Sequence, residues 1–227
     1  MITAAALCPS PPLLYPGLTG RQAVLPELRA ACAQAAGRLL RDDPEVIVVT
    51  GPAAATGDWD PAGRPNAAGF APAIVSTGVR SLPLSLGLGV MLLDHAGYRE
   101  RRRLLAIGQD EPASVCVRIG ADLGNGHART ALLVMGDGSA RRSVKAPGYL
   151  DERAAGFDAG VERAIRSGNL DALPRLDQVL ARELMAGGRP AWQVLAGAMK
   201  GLAPATEVLY RDAPFGVAYL VAYLRPR

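Results

Sequence analysis

The sequence predicts an α/β domain built on a largely parallel sheet, and three observations carry that prediction. A short apolar run, Ile2 to Leu7, is followed by a helical pattern and then by a second apolar run, Val46 to Val49. Strand, helix, strand implies a right-handed crossover between parallel strands, so both strand exits fall on one edge of the sheet. A third apolar run, Leu132 to Met135, ends abruptly in Gly136-Asp137-Gly138-Ser139, whose small residues permit a tight turn. Ligands of open α/β sheets sit outside the carboxyl ends of the strands, which makes these exits the places to look for chemistry.

Taken in order, the first run closes on Cys8-Pro9-Ser10-Pro11-Pro12. Each proline disfavours helix before it, so the run reads as a strand that delivers Ser10 into a rigid loop. A helix is predicted from Thr19 or Gly20 through Arg41, with Val24, Leu28, Cys32, Ala35 and Leu39 at helical spacing and Asp42-Asp43-Pro44 as its stop. After the second strand exits at Thr50-Gly51-Pro52-Ala53, the stretch to Pro72 is rich in Ala, Gly and Pro and reads as a long loop. Ser81 to Ser85 opens a helix that carries Leu88, Leu92 and His95 to a stop at Gly97, with Ser85 as a candidate first-turn cap. Val115, Val117 and Ile119 alternate, which predicts a strand over Ser114 to Ile119, and Asn125-Gly126 marks a turn. Helices follow at about Asp151 to Ser167, Leu176 to Met185 and Trp192 to Met199. Glu207 to Tyr210 and Val217 to Leu224 read as closing strands.

Composition bounds the rest. At 227 residues and 49% hydrophobic content the chain supports one well-cored domain over 1–227. It contains no apolar run of about eighteen residues, and its first residues lack the basic region of a signal peptide. A cytoplasmic protein with no membrane partner is expected. Cys8, Cys32 and Cys116 lack metal or disulfide spacing and are expected to be reduced, buried thiols. A net charge of +4 is too small to indicate nucleic acid, and no aromatic residues interleave the Arg99 to Arg103 cluster, which reads as a solvated helix end.

The polar residues that fall at the strand exits are Ser10, Thr50, Asp137, Ser139 and Arg141. Asp58, Arg64, Asn66 and Lys145 come within range from loops. Arg141, Lys145 and turn amides suit a small anion or polar metabolite. The competing reading of Asp137 and Ser139 is that their side chains satisfy backbone groups of the turn. Asp58 and Asp60, at i and i+2 in a loop, read as turn formers rather than a catalytic pair. Neither His95 nor His127 is placed as a base for Ser10 or Ser139.

Four motifs in order resemble the class III extradiol dioxygenase group, the LigB-like and Memo-like proteins, over nearly the whole chain. Leu7-Cys8-Pro9-Ser10-Pro11-Pro12-Leu13-Leu14 resembles that group's V-P-H-P-P-L-L opening, and Thr50-Gly51-Pro52-Ala53 its T-S-P-H element. Gly136-Asp137-Gly138-Ser139-Ala140-Arg141 is similar to G-D-L-S-H-R, and Ala213-Pro214-Phe215-Gly216-Val217-Ala218-Tyr219 to P-F-G-V-G-Y. The resemblance implies a three-layer αβα sandwich with a mixed, largely parallel sheet, and a homo-oligomer. It also implies Fe(II) held by two histidines and a carboxylate, with a further histidine as acid/base. Here the matching positions are Ser10 and Ala53 for the histidine ligands, Ala140 for the acid/base, and Ala186 or Gly187 for the last ligand. Serine is a poor iron donor at neutral pH, and alanine and glycine have none. The expectation is therefore a metal-free, non-catalytic relative with no cofactor, binding a small polar or anionic ligand or a protein partner in the inherited cleft. The alternative is an enzyme, using either non-standard iron ligands or a metal-independent reaction.

Overall fold

A computed structural model describes residues 1–15, 18, 24–65 and 81–227. The predicted helix start at Thr19 or Gly20, and Asn66, lie outside the described residues. Strand β1 (Ile2–Cys8) leads through a 3-10 turn at Pro12–Leu14 to helix α1 (Pro26–Leu39) and then to β2 (Val46–Ala53). The stretch read as a long loop carries two short strands, β3 (Gly57–Trp59) and β4 (Arg64–Pro65), and β5 (Ser81–Leu82) follows beyond it. Next come α2 (Leu84–His95), β6 (Arg102–Gly108), α3 (Ala113–Gly124) and β7 (Thr130–Met135). The chain finishes with α4 (Arg153–Ser167), α5 (Gln178–Glu183), α6 (Arg189–Ala198), β8 (Ala205–Asp212) and β9 (Tyr219–Arg225).

Seven strands form one mixed sheet in the order β3-β6-β2-β7-β1-β9-β8. The strands β6, β2, β7 and β1 are parallel, whereas β3 pairs antiparallel with β6 at one side and β9 lies antiparallel between β1 and β8 at the other. Helices cover both faces, so the architecture is a three-layer αβα sandwich. Alternate strand residues serve opposite layers: Ala4, Ala6, Val49, Leu133 and Met135 pack under α1 and α2. Leu7, Val48, Leu132 and Val134 pack under α4, α6 and their neighbours. Because both faces are covered, β7 is buried along its whole length and its sequence is continuously apolar rather than alternating. Each fully buried leucine contributes about 1.5–3 kcal/mol over an exposed one.

Two local readings are corrected. Ser114 to Ile119 lies in a helix, α3. Val115, Val117 and Ile119 are only half-buried, while the fully buried residues are Cys116 and Gly120, one helical turn apart. A Cβ at Gly120 would lie 2.0 Å from Val194 O, and one at Gly197 would lie 2.1 Å from Val117 O, so α3 and α6 meet backbone to backbone. That contact, rather than the local alternation, decides the element. The second correction concerns Arg99 to Arg103, which leads into β6. Arg99 and Arg102 pair with Asp94 at 2.7 and 2.8 Å, and Arg103 pairs across the sheet with Asp58 on β3. Ser85 also departs from its expected role: it lies inside α2 and its hydroxyl donates to Pro52 O, while Pro83 holds the cap position without a side-chain bond. The predicted stop at Gly97 has a physical basis in its φ of 85°, a left-handed conformation natural to glycine.

The chain's direction changes at the centre of the sheet. Connections leaving β1 and β2 enter the α1/α2 layer, whereas the connection leaving β7, which lies between them, enters the opposite layer. Strands whose connections part in this way leave a crevice at their carboxyl ends, and here it lies between the exits of β1 and β7.

Candidate functional site

At this crevice the β1 and β7 exits are tied together. The Gly136 N–H donates to Cys8 O at 2.9 Å, and one step further the Ser10 N–H donates to Asp137 Oδ1 at 2.7 Å. Among the described residues, Asp137 Oδ2 carries no hydrogen bond. Desolvation pushes the Asp137 carboxyl from its ordinary 3.8 up to about 6, and the Ser10 N–H offsets only part of that rise. Tyr219, at the start of β9, is buried and feels the same carboxylate; burial first and the Asp137 charge second raise its phenol above the ordinary value.

The other walls are backbone and small side chains. The Gly188 N–H donates to Asp137 O at 2.8 Å, which docks the start of α6 on the turn. A Cβ at Gly136 would come within 2.5 Å of Gly188 Cα, so only glycine permits this approach. On the β2 side, Gln109 N–H reaches Ala53 O at 3.1 Å, and Gly51 packs on Ser85. A Cβ on Gly187 would stand 4.0 Å from Pro52 Cγ and 3.6 Å from Gln109 Nε2. Thus the exits of β1, β2 and β7 and the approach to α6 meet at one edge. The loop beyond Ala140 and the two loops packed on it, after α5 and between β8 and β9, add backbone strain: Tyr149, Met185 and Phe215 are exposed non-glycine residues with φ near +57°. Such conformations cost about 1–2 kcal/mol each and concentrate where function requires them.

The residues singled out in sequence meet different fates. Ser10 and Asp137 come together in the crevice. Thr50 is fully buried inside the sheet, its Oγ1 without a hydrogen-bond partner among the described residues. Asp58 is exposed at the sheet edge, paired with Arg103 through Nε at 2.6 Å and Nη2 at 3.0 Å, and opposes Leu105 well short of the β6 exit. Ser139 is fully buried; its N–H and hydroxyl both donate to Asp158 of α4, at 2.9 and 2.6 Å. Its side chain therefore serves a distant helix rather than its own turn. Arg141 is half-buried with Nε unpartnered among the described residues, and Lys145 is exposed. Arg64 lies in β4.

Sequence reasoning missed Asp158, Arg142 and Arg189. Asp158 also takes Arg142 Nη1 at 3.2 Å, and it sits beside the apolar stripe of α4 with no local mark of its role. Arg189 opens a helix that is buried on every side. Its Nη2 donates to Gln109 O and Glu111 O at 2.6 and 2.9 Å, and its Nη1 to Gln193 Oε1 at 2.8 Å. It fastens the β6 exit to α6, and burial pulls its guanidinium below the ordinary value.

The residues at this edge do not fit a two-histidine, one-carboxylate iron centre. Ala53, buried Ala140 and buried Ala186 offer no side-chain donor, and Asp137 is engaged by Ser10 N–H. His95 and His127 are exposed, at the end of α2 and in the loop before β7. Among the described residues, no three His, Cys, Asp or Glu side chains form a metal-holding group. Nor is any helix among them long and apolar enough to cross a membrane.

No family model matches the chain, and no curated protein matches it. Among solved structures it is similar to the crystal structure of an uncharacterized protein, JW3007, from Escherichia coli K12. The match has a TM-score of 0.56 and 15% identity, and covers 98% of this chain and 99% of that one. At that identity the likeness concerns the fold.

Proposed function

We propose that this protein is a metal-independent, non-ring-cleaving relative of the class III extradiol dioxygenases that binds a small, hydroxyl-bearing polar molecule in the crevice between the β1 and β7 exits. The observation that carries this reading is Asp137. Its carboxyl is pushed up to about 6, one oxygen is held by Ser10 N–H, and the other is free to meet a ligand. Buried titratable groups with strongly perturbed values concentrate at functional sites. Four motif resemblances in order supply the family part, and the donor-poor residues at Ser10, Ala53, Ala140 and Ala186 argue against iron. A catecholic hydroxyl matches this geometry, donating to Asp137 when the carboxyl is ionised and accepting from it when it is protonated.

A second reading has one observation in its favour. A carboxyl near 6 is suited to general acid/base work close to neutral pH, so a metal-independent proton transfer at Asp137 stands as the alternative. Both readings are tested with 4-nitrocatechol, whose absorbance reports its ionisation. Under the binding reading it titrates the protein to saturation, Asp137→Asn weakens the binding, and added Fe(II) with air yields no ring-opened product. Ring opening that follows iron would sink the metal-independent assignment. Failure of 4-nitrocatechol to bind would remove the catechol-like ligand. Slow chemical conversion lost in Asp137→Asn, with binding retained, would favour the enzyme.

A further inference from the structure

On the far side of the same turn lies a separate cavity of about 290 Å³, between α4, the turn, and the β8–β9 hairpin. We infer that it is a binding site for a small organic carboxylate. The reason is a mismatch between donors and acceptors in its walls. Its two acidic side chains on α4, Asp158 and Glu162, are largely buried and already taken by the protein. Asp158 receives the N–H and hydroxyl of Ser139 and Nη1 of Arg142. Glu162 receives Nη2 of Arg166 at 2.9 Å and is paired with Nε of Arg211 at 2.6 Å.

The donors are not used up in the same way. A guanidinium carries five N–H groups in a planar fork. Arg142 and Arg211, both lining the cavity, spend one nitrogen each on these acids. Trp192, in the same wall, is 2% exposed, and its indole N–H has no partner among the described residues. Leaving such a buried donor unmet is costly, and it lies in a residue of the cavity wall. The remaining charge, Asp212, is exposed at the rim and already accepts Ala213 N–H, so water screens it. Spare hydrogen-bonding capacity here is therefore mostly donor capacity, and two guanidinium forks match a carboxylate. The apolar faces of Val161, Leu220 and Trp192 favour an organic anion over an inorganic one. Gly138 lines this cavity and is closely packed, since a Cβ there would lie 2.8 Å from both Asp158 Oδ1 and Ala218 Cβ.

The test uses benzoate as the carboxylate and inorganic phosphate for comparison. Trp59→Phe leaves Trp192 as the chain's single tryptophan, so its fluorescence reports the cavity wall, and calorimetry measures the same binding independently. The expected result is a saturable change with benzoate, a weaker response to phosphate, and about tenfold weaker benzoate binding in Arg211→Gln. Arg211 is 60% exposed, so this variant folds and isolates the rim contact. Arg142→Gln should weaken binding similarly. The inference is overturned if benzoate does not saturate, or if it saturates with unchanged affinity in both arginine variants. It is equally overturned if Asp137→Asn weakens binding while Arg211→Gln does not, because the ligand would then occupy the β1–β7 crevice.

Discussion

Two carboxylates flank the turn that ends β7, and they are served in opposite ways. Asp158 is met by a backbone N–H, a hydroxyl and a guanidinium, as a carboxylate that holds structure must be when it leaves water. Asp137, half-buried in the neighbouring crevice, has a single N–H donor among the described residues and is lifted to about 6. The fold spends its donors on the first and leaves the second short. An acid left short of donors is open to a ligand or a proton, whereas a satisfied one is a fastening.

The sharpest way to break this contrast is Asp158→Ala. It strands Ser139 N–H and Arg142 at once and is expected to destabilise the protein by about 3 kcal/mol in urea unfolding. A loss of a few tenths would mean that Asp158 is not the fastening. Next, Gly136→Ala drives a methyl into Gly188 backbone, 2.5 Å from its Cα, and should cost about 2 kcal/mol by the same measurement. Comparable in size is Asp137→Asn, whose effect depends on pH. The folded-state value lies above the unfolded one, so the native protein holds the extra proton between about 3.8 and 6. Wild-type stability therefore falls as pH rises through that window and levels off above it. The asparagine variant, free of this penalty, should gain about 2 kcal/mol on wild type between pH 4 and pH 7. A difference that stays flat with pH would show Asp137 to be well solvated. The least effect belongs to Asp58→Asn, which loses an exposed cross-strand pair to Arg103 and should shift stability by under about 0.5 kcal/mol.

How much of this was legible beforehand follows from the range of the forces involved. The proline-stopped run at Cys8-Pro9-Ser10 and the glycine-flanked turn at Asp137 are local features, and both exits were found where the apolar runs end. β6 was missed because the arginines before it mask a buried run, Leu104 to Ile107. Their neutralisation comes from Asp94 and Asp58 and has no local sign. Alternating Val115, Val117 and Ile119 suggested a strand; contact of Gly120 with α6, far along the chain, makes it a helix.

The sequence by itself determined the runs that become buried strands, the points where they stop, and the absence of iron donors at Ser10, Ala53, Ala140 and Ala186. Those are properties of individual side chains and of short-range periodicity. Only the tertiary structure decided which acid is a fastening and which is exposed to chemistry. Ser10 and Asp137 are 127 residues apart, and Ser139 finds its partner on a helix 19 residues on. Desolvation and donor supply depend on neighbours brought in by the sheet order and by the opposite routes taken from β1 and β7, which no window of sequence contains.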